Sequence, residues 1–321
     1  MTFVSRNSER QYLRGVNLLV KGANVGRALA EADSDEPDLR IRFRTHQQDA
    51  ESPNNADIRV YNLAESTVRE IRAEYDSVVL QAGYRDGAVG TIFAGTIKQF
   101  RIGRENNIDS YLDLLVSDGD IGYNFGVIAS TLAKGATLLD VAKAAAKAMG
   151  TPLDEKNLPD LNGTELLRGK VLFGMARTIL RGAARSADST WSIDDGRVRM
   201  TPLSGYLPGE AVTLNALTGL VGVPELTDQG VHARSLLNPK LRVGGLVRIN
   251  NRDINQLVQR TASDPTRFDS RTGFQKMANL SRADGLYRLY AVEHSGDTRG
   301  AEWFSDLTML AVNSNAVQPY G

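Results

Sequence analysis

The chain has 321 residues, of which 41% are hydrophobic and 24% charged, and its 38 Lys and Arg balance 38 Asp and Glu. That length allows two or three domains with cores of their own, while zero net charge argues against a dedicated nucleic-acid binder, which carries a basic surplus or stripe. The absence of cysteine excludes disulfides, thiolate zinc sites and cysteine nucleophiles, and no apolar run reaches signal-peptide or membrane-span length, so no membrane insertion is expected.

In chain order, residues 15–21 (GVNLLVK) read as a short strand, followed by a polar linker. In residues 39–46, Leu39, Ile41 and Phe43 alternate with Arg40, Arg42, Arg44 and His46, the period of a half-buried strand with one basic face. That arginine ladder is a contact for phosphate or an acidic partner, or simply a salt-bridged sheet face. A strand at 57–61 leads into Asn62-Leu63-Ala64-Glu65, which has the form of a helix N-cap with a glutamate three residues on. Val68, Ile71 and Tyr75 follow at helical spacing, predicting about three turns.

A strand at 78–84 and a glycine-containing turn at 85–90 precede the most informative stretch, residues 91–117. There Ile108, Leu112, Leu114 and Val116 alternate with Asp109, Asp113 and Ser117, and residues 103–107 read as the tip of a long hairpin. A similar hairpin is read near the C-terminus: residues 285–292 run into a turn at 295–300 and return through 303–312. An aromatic opens each return strand, Tyr111 in one and Trp303 in the other. One hairpin is used twice.

Between the hairpins, residues 138–149 are alanine-rich and helical with Gly150 as the stop, and 172–184 read as a second helix. Asp194-Asp195-Gly196-Arg197 makes a tight hairpin between 191–193 and 198–200. Strands are then expected at 211–215, 230–236 and 241–249, with Leu241, Val243, Val247 and Ile249 on one face. Residues 252–283 form a long polar excursion, the usual length of a lid or a partner-binding arm.

Little of this points to chemistry. His46, His232 and His294 are far apart, with no zinc-binding spacing. Residues 163–171 (GTELLRGKV) have one residue too many for a phosphate loop and Val171 where Ser or Thr should bind magnesium. No G-x-S-x-G elbow occurs, and the acidic pairs Asp194/Asp195 and Asp154/Glu155 read as a turn and a loop. His294 and Asp297 could support proton transfer, but read better as a turn in which Asp and Gly supply the geometry.

Several segments resemble a known family. Val60-Tyr61-Asn62-Leu63, Gln81-Ala82-Gly83-Tyr84 and Ile92-Phe93-Ala94-Gly95 resemble the N-terminal domain of central hub proteins of bacteriophage tail baseplates, the contractile-tail hub or late control protein D-like family. Thr218-Gly219-Leu220-Val221-Gly222, Leu237-Asn238-Pro239, Gly285-Leu286-Tyr287, and the run from His294 through Asp297 and Gly300 to Trp303 resemble it further.

The fold expected is mainly β with α+β: two tube-like β-barrel domains related by pseudo-symmetry, at 1–121 and 205–321, plus a middle α+β domain at 122–204. The resemblance implies a homotrimeric, pseudo-sixfold ring in the virion tail, assembled in the host cytoplasm and set between a hexameric tail tube and a trimeric spike. It further implies contacts to other baseplate proteins, with the tape measure protein and later DNA only passing through the lumen. Neither catalysis nor a cofactor is expected. The residues expected to serve structure or interface are Tyr84, Phe93, Gly95, Tyr111, Asn238, His294, Asp297, Gly300 and Trp303. Two other classes stay open: a cell-wall hydrolase using acids of the middle domain, and a nucleic-acid-binding barrel using Arg40, Arg42 and Arg44.

Overall fold

The computed structural model describes residues 13–27, 39–71, 76–84, 87, 89–155, 158–159, 161, 163, 165–203, 205–227, 230–249 and 285–312. The excursion at 252–283, Tyr75 and half of the turn at 85–90 lie outside them. The first half comprises β1 (Arg14–Val20), β2 (Ala23–Arg27), β3 (Ile41–Gln48), β4 (Asn55–Tyr61), α1 (Glu65–Glu70), β5 (Ser77–Tyr84), β6 (Val89–Arg104) and β7 (Ser110–Ser117). The middle comprises α2 (Asp120–Phe125), β8 (Val127–Leu132), α3 (Leu138–Ala148), β9 (Lys170–Met175), α4 (Ala176–Ser186), β10 (Ser189–Asp194) and β11 (Arg197–Pro202). The last part comprises β12 (Val212–Thr213), β13 (Leu220–Thr227), β14 (Gly230–Leu236), β15 (Leu246–Arg248), β16 (Leu286–Asp297) and β17 (Trp303–Ala311).

Thirteen strands form one sheet, antiparallel except where β12 runs parallel to β15. Within it five strands are arranged twice. The order β3-β4-β7-β6-β5 in the first half is matched by β13-β14-β17-β16-β15 in the last, and each set follows the chain in the same sequence. The match extends to single residues. Arg59 of β4 pairs with Asp113 of β7 at 2.6 Å and lies 4.1 Å over the Tyr111 ring. Arg234 of β14 pairs with Asp306 of β17 at 2.6 Å and lies 5.4 Å over Phe304.

Aligned on these triads, the register shift in β6 between Ile97 and Gln99 falls on the one in β16 between Leu289 and Ala291. A bulge inserts one unpaired residue and sharpens the local twist, so both long strands bend at the same place. Tyr111 therefore corresponds to Phe304 and not to Trp303, the pairing expected from sequence. The period-two pattern hides such a one-residue slip, although it moves a side chain to the opposite face.

The two sets are fused edge to edge, because the outer half of β16, from Ala291 to Asp297, also pairs with β3. Their apolar interiors differ in character. The first collects Val16, Leu18, Phe43, Ile58, Leu80, Phe93 and Leu114, and receives Leu237 and Trp303 from the last part. The second is built from Val231, Leu241, Val247, Tyr287, Val292, Leu307 and Met309. In the middle, α3 and α4 pack on the β10–β11 hairpin around Trp191, Leu180 and Ala142.

Several expectations hold. The strands at 15–21, 57–61, 78–84 and 230–236, the helix at 138–149 and the β10–β11 hairpin are in place, the hairpin with Asp195 and Gly196 at φ 53° and 71°. Thr137 caps α3 through a reciprocal bond with Asp140.

Others are corrected. Asn62 is not the N-cap of α1, which starts after Ala64 with no side-chain cap; its amide instead bonds Asp109 and the Ser110 N–H at the first hairpin tip. Ile108 belongs to that tip and is 88% exposed rather than facing the core. Residues 172–175 end a strand, so the second helix begins only at Ala176. The strand expected at 241–249 is reduced to Leu246–Arg248, because Gly244 at φ 81° turns the chain before it. His294, Ser295 and Gly296 lie in β16 rather than in a turn.

Candidate functional site

The hairpin β16–β17 is where the two halves meet. Its tip is held by two arginines of the first half. From β1, the Arg14 guanidinium donates to the carbonyls of Asp297 and Gly300 at 3.1 and 2.5 Å. Preceding β3, Arg40 donates two bonds to the Asp297 carboxylate at 3.2 and 2.7 Å and lies 4.6 Å over Tyr61. Burial works against the Asp297 charge, but the hydrogen bonds from Arg40 and the Arg299 N–H hold its carboxyl below the usual range. Gly300 permits this closure, since a Cβ there would stand 2.7 Å from the Asp297 carboxylate.

Beneath the tip, the Trp303 ring is 1% exposed and wedged edge-on between Phe43 at 5.6 Å and Tyr84 at 6.5 Å. The Tyr84 hydroxyl is pushed up to about 12 by burial. One strand over, the buried His294 Nδ1 meets Ser305 Oγ at 2.8 Å, and burial lowers its imidazole to about 4, so it stays neutral. The Ser305 hydroxyl also accepts from the Asn238 N–H at 3.2 Å.

Thus Tyr84, His294, Asp297, Gly300, Trp303 and Asn238 converge on one seam. The remaining expected residues lie elsewhere: Phe93 is a core side chain, Gly95 lets the Ser117 carbonyl approach β6, and Tyr111 stands on the outer face under Arg59.

Sequence reading passed over the residues that tie all three parts together. Arg288 of β16 forms a buried ion pair with Asp49, just beyond β3, and donates to the carbonyls of Pro202 and Leu203 at 3.2 and 3.4 Å. The other Asp49 oxygen accepts from Thr190 of β10 at 3.1 Å. The triads Arg59–Asp113–Tyr111 and Arg234–Asp306–Phe304 also went unread, although an aromatic-x-Asp pattern opens both return strands.

The outer face of β3, β4, β7 and β6 forms a groove of about 430 Å³ in which Arg42, Arg44, Arg59 and Arg101 are interspersed with Asp57, Asp113 and Glu302. The arginine ladder is thus largely matched by carboxylates: Arg40 by Asp297, and Arg42 by Glu302 at 3.9 Å. A ribbon of β8 and β9 leaves Val127, Val171 and Phe173 exposed beside Phe125.

The two acidic pairs of the middle part, Asp154/Glu155 and Asp194/Asp195, are committed to structure. Asp154 and Asp194 both pair with Arg199, Asp195 with Arg242, and Glu155 with Lys143. The cavity beside Asp194 and Asp195 measures only about 10 Å³, far below the hundreds of Å³ that a glycan needs. His294 and Asp297 point to different partners, Ser305 and Arg40. Among the described residues, no group of three or more His, Asp or Glu could hold a metal ion.

Asp118 does carry an unusual charge. Its oxygens accept from the Gly196 N–H at 3.0 and 3.2 Å, clamping the β10–β11 turn to the end of β7. Burial, then the nearby Asp194 charge, push its carboxyl up to about 7 against those bonds. A raised carboxyl costs stability where the folded form must lose its proton, so the penalty enters as pH rises from about 4 through 7. Asp118→Asn keeps an acceptor for Gly196 and removes the charge. The variant is expected to match wild type at pH 4 and to exceed it by on the order of 2 kcal/mol at pH 8. Urea unfolding at both pH values measures this, and an advantage independent of pH would contradict it.

Comparison with known proteins agrees with this architecture. The profile of the baseplate hub gp41 family matches residues 25–261. No curated protein matches the chain in sequence. Among solved structures, the 43 kDa tail protein of prophage MuSo2 from Shewanella oneidensis aligns over 95% of this chain and 97% of its own, with 8% identity and a TM-score of 0.57. A tail protein from Neisseria meningitidis MC58 aligns over 96% and 98%, at 11% identity and a TM-score of 0.54. An E. coli component of the type VI secretion system, described as structurally similar to the T4 tail proteins gp27 and gp5, aligns over 95% and 78%, at 11% identity and 0.51. These likenesses are of fold alone. Since the family profile spans well over half of its length, the chain belongs to the baseplate hub gp41 family, a structural component of the phage tail.

Proposed function

We propose that the protein is the hub of a tail baseplate: a homotrimeric ring whose two strand sets per chain present six similar units around one axis, joining a hexameric tail tube to a trimeric spike. The observation that carries this reading is the repeated five-strand order, with its matched triads and bulges. Two quasi-equivalent units per chain are what a threefold body needs to meet a sixfold one. Its working parts are residues 1–121 and 205–321 as the two barrel units, with 122–204 as a side domain. The charged groove at Arg42, Arg44 and Arg101 faces the passage for the tape measure protein and DNA. The apolar ribbon of β8 and β9 is of the kind that marks a protein contact, and here meets neighbouring baseplate proteins. The role is mechanical, in the tail of the virion.

Light scattering tests the reading. Purified protein is expected at three times 35.0 kDa, about 105 kDa, with six lobes around a hole in negative-stain averages. A particle that stays monomeric even with spike protein present would sink it.

A further inference from the structure

We infer that the outer half of β6 seats β13 from a second copy of this chain, joined as β3 joins β16 within the chain but with the charges exchanged. The inference rests on the ring reading above and specifies its joints.

The argument starts from two unequal edges. Within the chain, Ala291 to Asp297 of β16 are paired on both sides, with β17 and with β3. The corresponding stretch of β6, Gln99 to Arg104, pairs with β7 alone among the described residues, since the ladder to β5 ends at Thr96. Conversely β13, the counterpart of β3, has β14 on one side and no strand on the other among the described residues. One joint between first-type and second-type units is made; among the described residues its complement stands open at both ends. Open strand edges are templates for pairing.

The register of the made joint fixes that of the open one. Aligned on the triads, His294, Glu293 and Ser295 correspond to Ile102, Arg101 and Gly103, while Thr45, His46 and Arg44 correspond to Leu226, Thr227 and Glu225. Since His294 lies opposite Thr45, Glu293 opposite His46 and Ser295 opposite Arg44, Ile102 falls opposite Leu226, Arg101 opposite Thr227 and Gly103 opposite Glu225 of the neighbouring copy. The two members of the first pair differ as this requires: His294 is buried beside β3, whereas Ile102, lacking a neighbour, is 45% exposed.

Charge supplies the selectivity. In the made joint β3 is the basic partner, with Arg40, Arg42 and His46 meeting Asp297, Glu302 and Glu293. On the open edges the signs are reversed, for β6 carries Arg101 and Arg104 while β13 carries the exposed Glu225. A basic β3 edge is thus repelled by β6, and units of one type cannot join each other. Alternation of the two types follows, and a heterologous joint of this kind closes into a ring where its rotation closes, as the ring reading requires.

The chain has no cysteine, which makes cross-linking clean. Residues directly opposite in an antiparallel pair lie within disulfide reach. The Ile102→Cys/Leu226→Cys variant, oxidised in dilute solution, is expected to give a covalent trimer on a non-reducing gel, and Ile102→Cys/Val223→Cys about tenfold less. As a second measurement, Glu225→Arg is expected to weaken assembly about tenfold, and Arg101→Glu/Glu225→Arg to restore it. An assembled ring that neither cross-links nor responds to the charge exchange overturns the pairing and leaves the ring standing. A ladder running past three copies supports the pairing and overturns the ring, and a monomer at all concentrations overturns both.

Discussion

Replacing Trp303 by alanine is expected to destabilise the protein by about 4 kcal/mol and to abolish assembly. The indole sits on the last part of the chain but fills the interior of the first, among Phe43 and Tyr84. Its loss opens a cavity where, among the described residues, the last part inserts its largest side chain into the core of the first. Two edge-to-face aromatic contacts disappear with it, as does the surface on which Arg14 lies at 5.3 Å. The indole N–H has no hydrogen-bond partner among the described residues, so volume and shape carry its contribution. Trp303→Phe should therefore lose much less, about 1.5 kcal/mol or under. Thermal unfolding separates the two, with a fall of roughly 6 °C for alanine. Equal melting of the alanine variant and wild type would show that the seam does not depend on this side chain.

Asp49→Ala is expected to be nearly as damaging, at about 3–5 kcal/mol. Among the described residues it leaves the Arg288 guanidinium buried with only the carbonyls of Pro202 and Leu203 as partners. Burial already pushes that group's proton affinity down, yet an arginine stays charged, so it cannot escape by neutralising. The double change Asp49→Leu/Arg288→Met removes both charges and should recover most of the loss. Denaturant unfolding of the single and double variants decides the matter: if the double variant were as unstable as the sum of the singles, the two residues would not be acting as a pair.

These two sites show unequal legibility. Trp303 was readable because an aromatic after a glycine-rich turn at a strand start is a conspicuous local signal. Its partnership was not, since a period of two cannot distinguish a residue from its neighbour one step along, and only the positions of Asp113 and Asp306 reveal that Phe304 matches Tyr111. Asp49 and Arg288 were invisible because 239 residues separate them, and nothing in either local sequence anticipates the other. The short strands β8 and β9 escaped for a different reason: half or more of their residues face solvent, and alternation is faint without burial. The tight β10–β11 turn was plain because Asp-Gly chemistry is local. The repeat itself was legible as a hairpin used twice, whereas its five-strand extent was not, because β13 is interrupted by a register shift and β15 is only three residues long.

The edge-to-edge fusion of β3 with β16 also has a consequence for synthesis. The His294 N–H bonds the Thr45 hydroxyl across 249 residues, so on the ribosome the first unit must wait for nearly the whole chain before its flank is covered. At about 5–20 residues per second, that interval is roughly 12–50 s. During it the Arg42 and Arg44 side chains project from an otherwise sticky strand, and charge on an exposed flank deters pairing with a stranger. The same flank, whose Arg42 later meets Glu302 beside the strand β17, thus guards the nascent polypeptide against aggregation until its own C-terminal hairpin emerges.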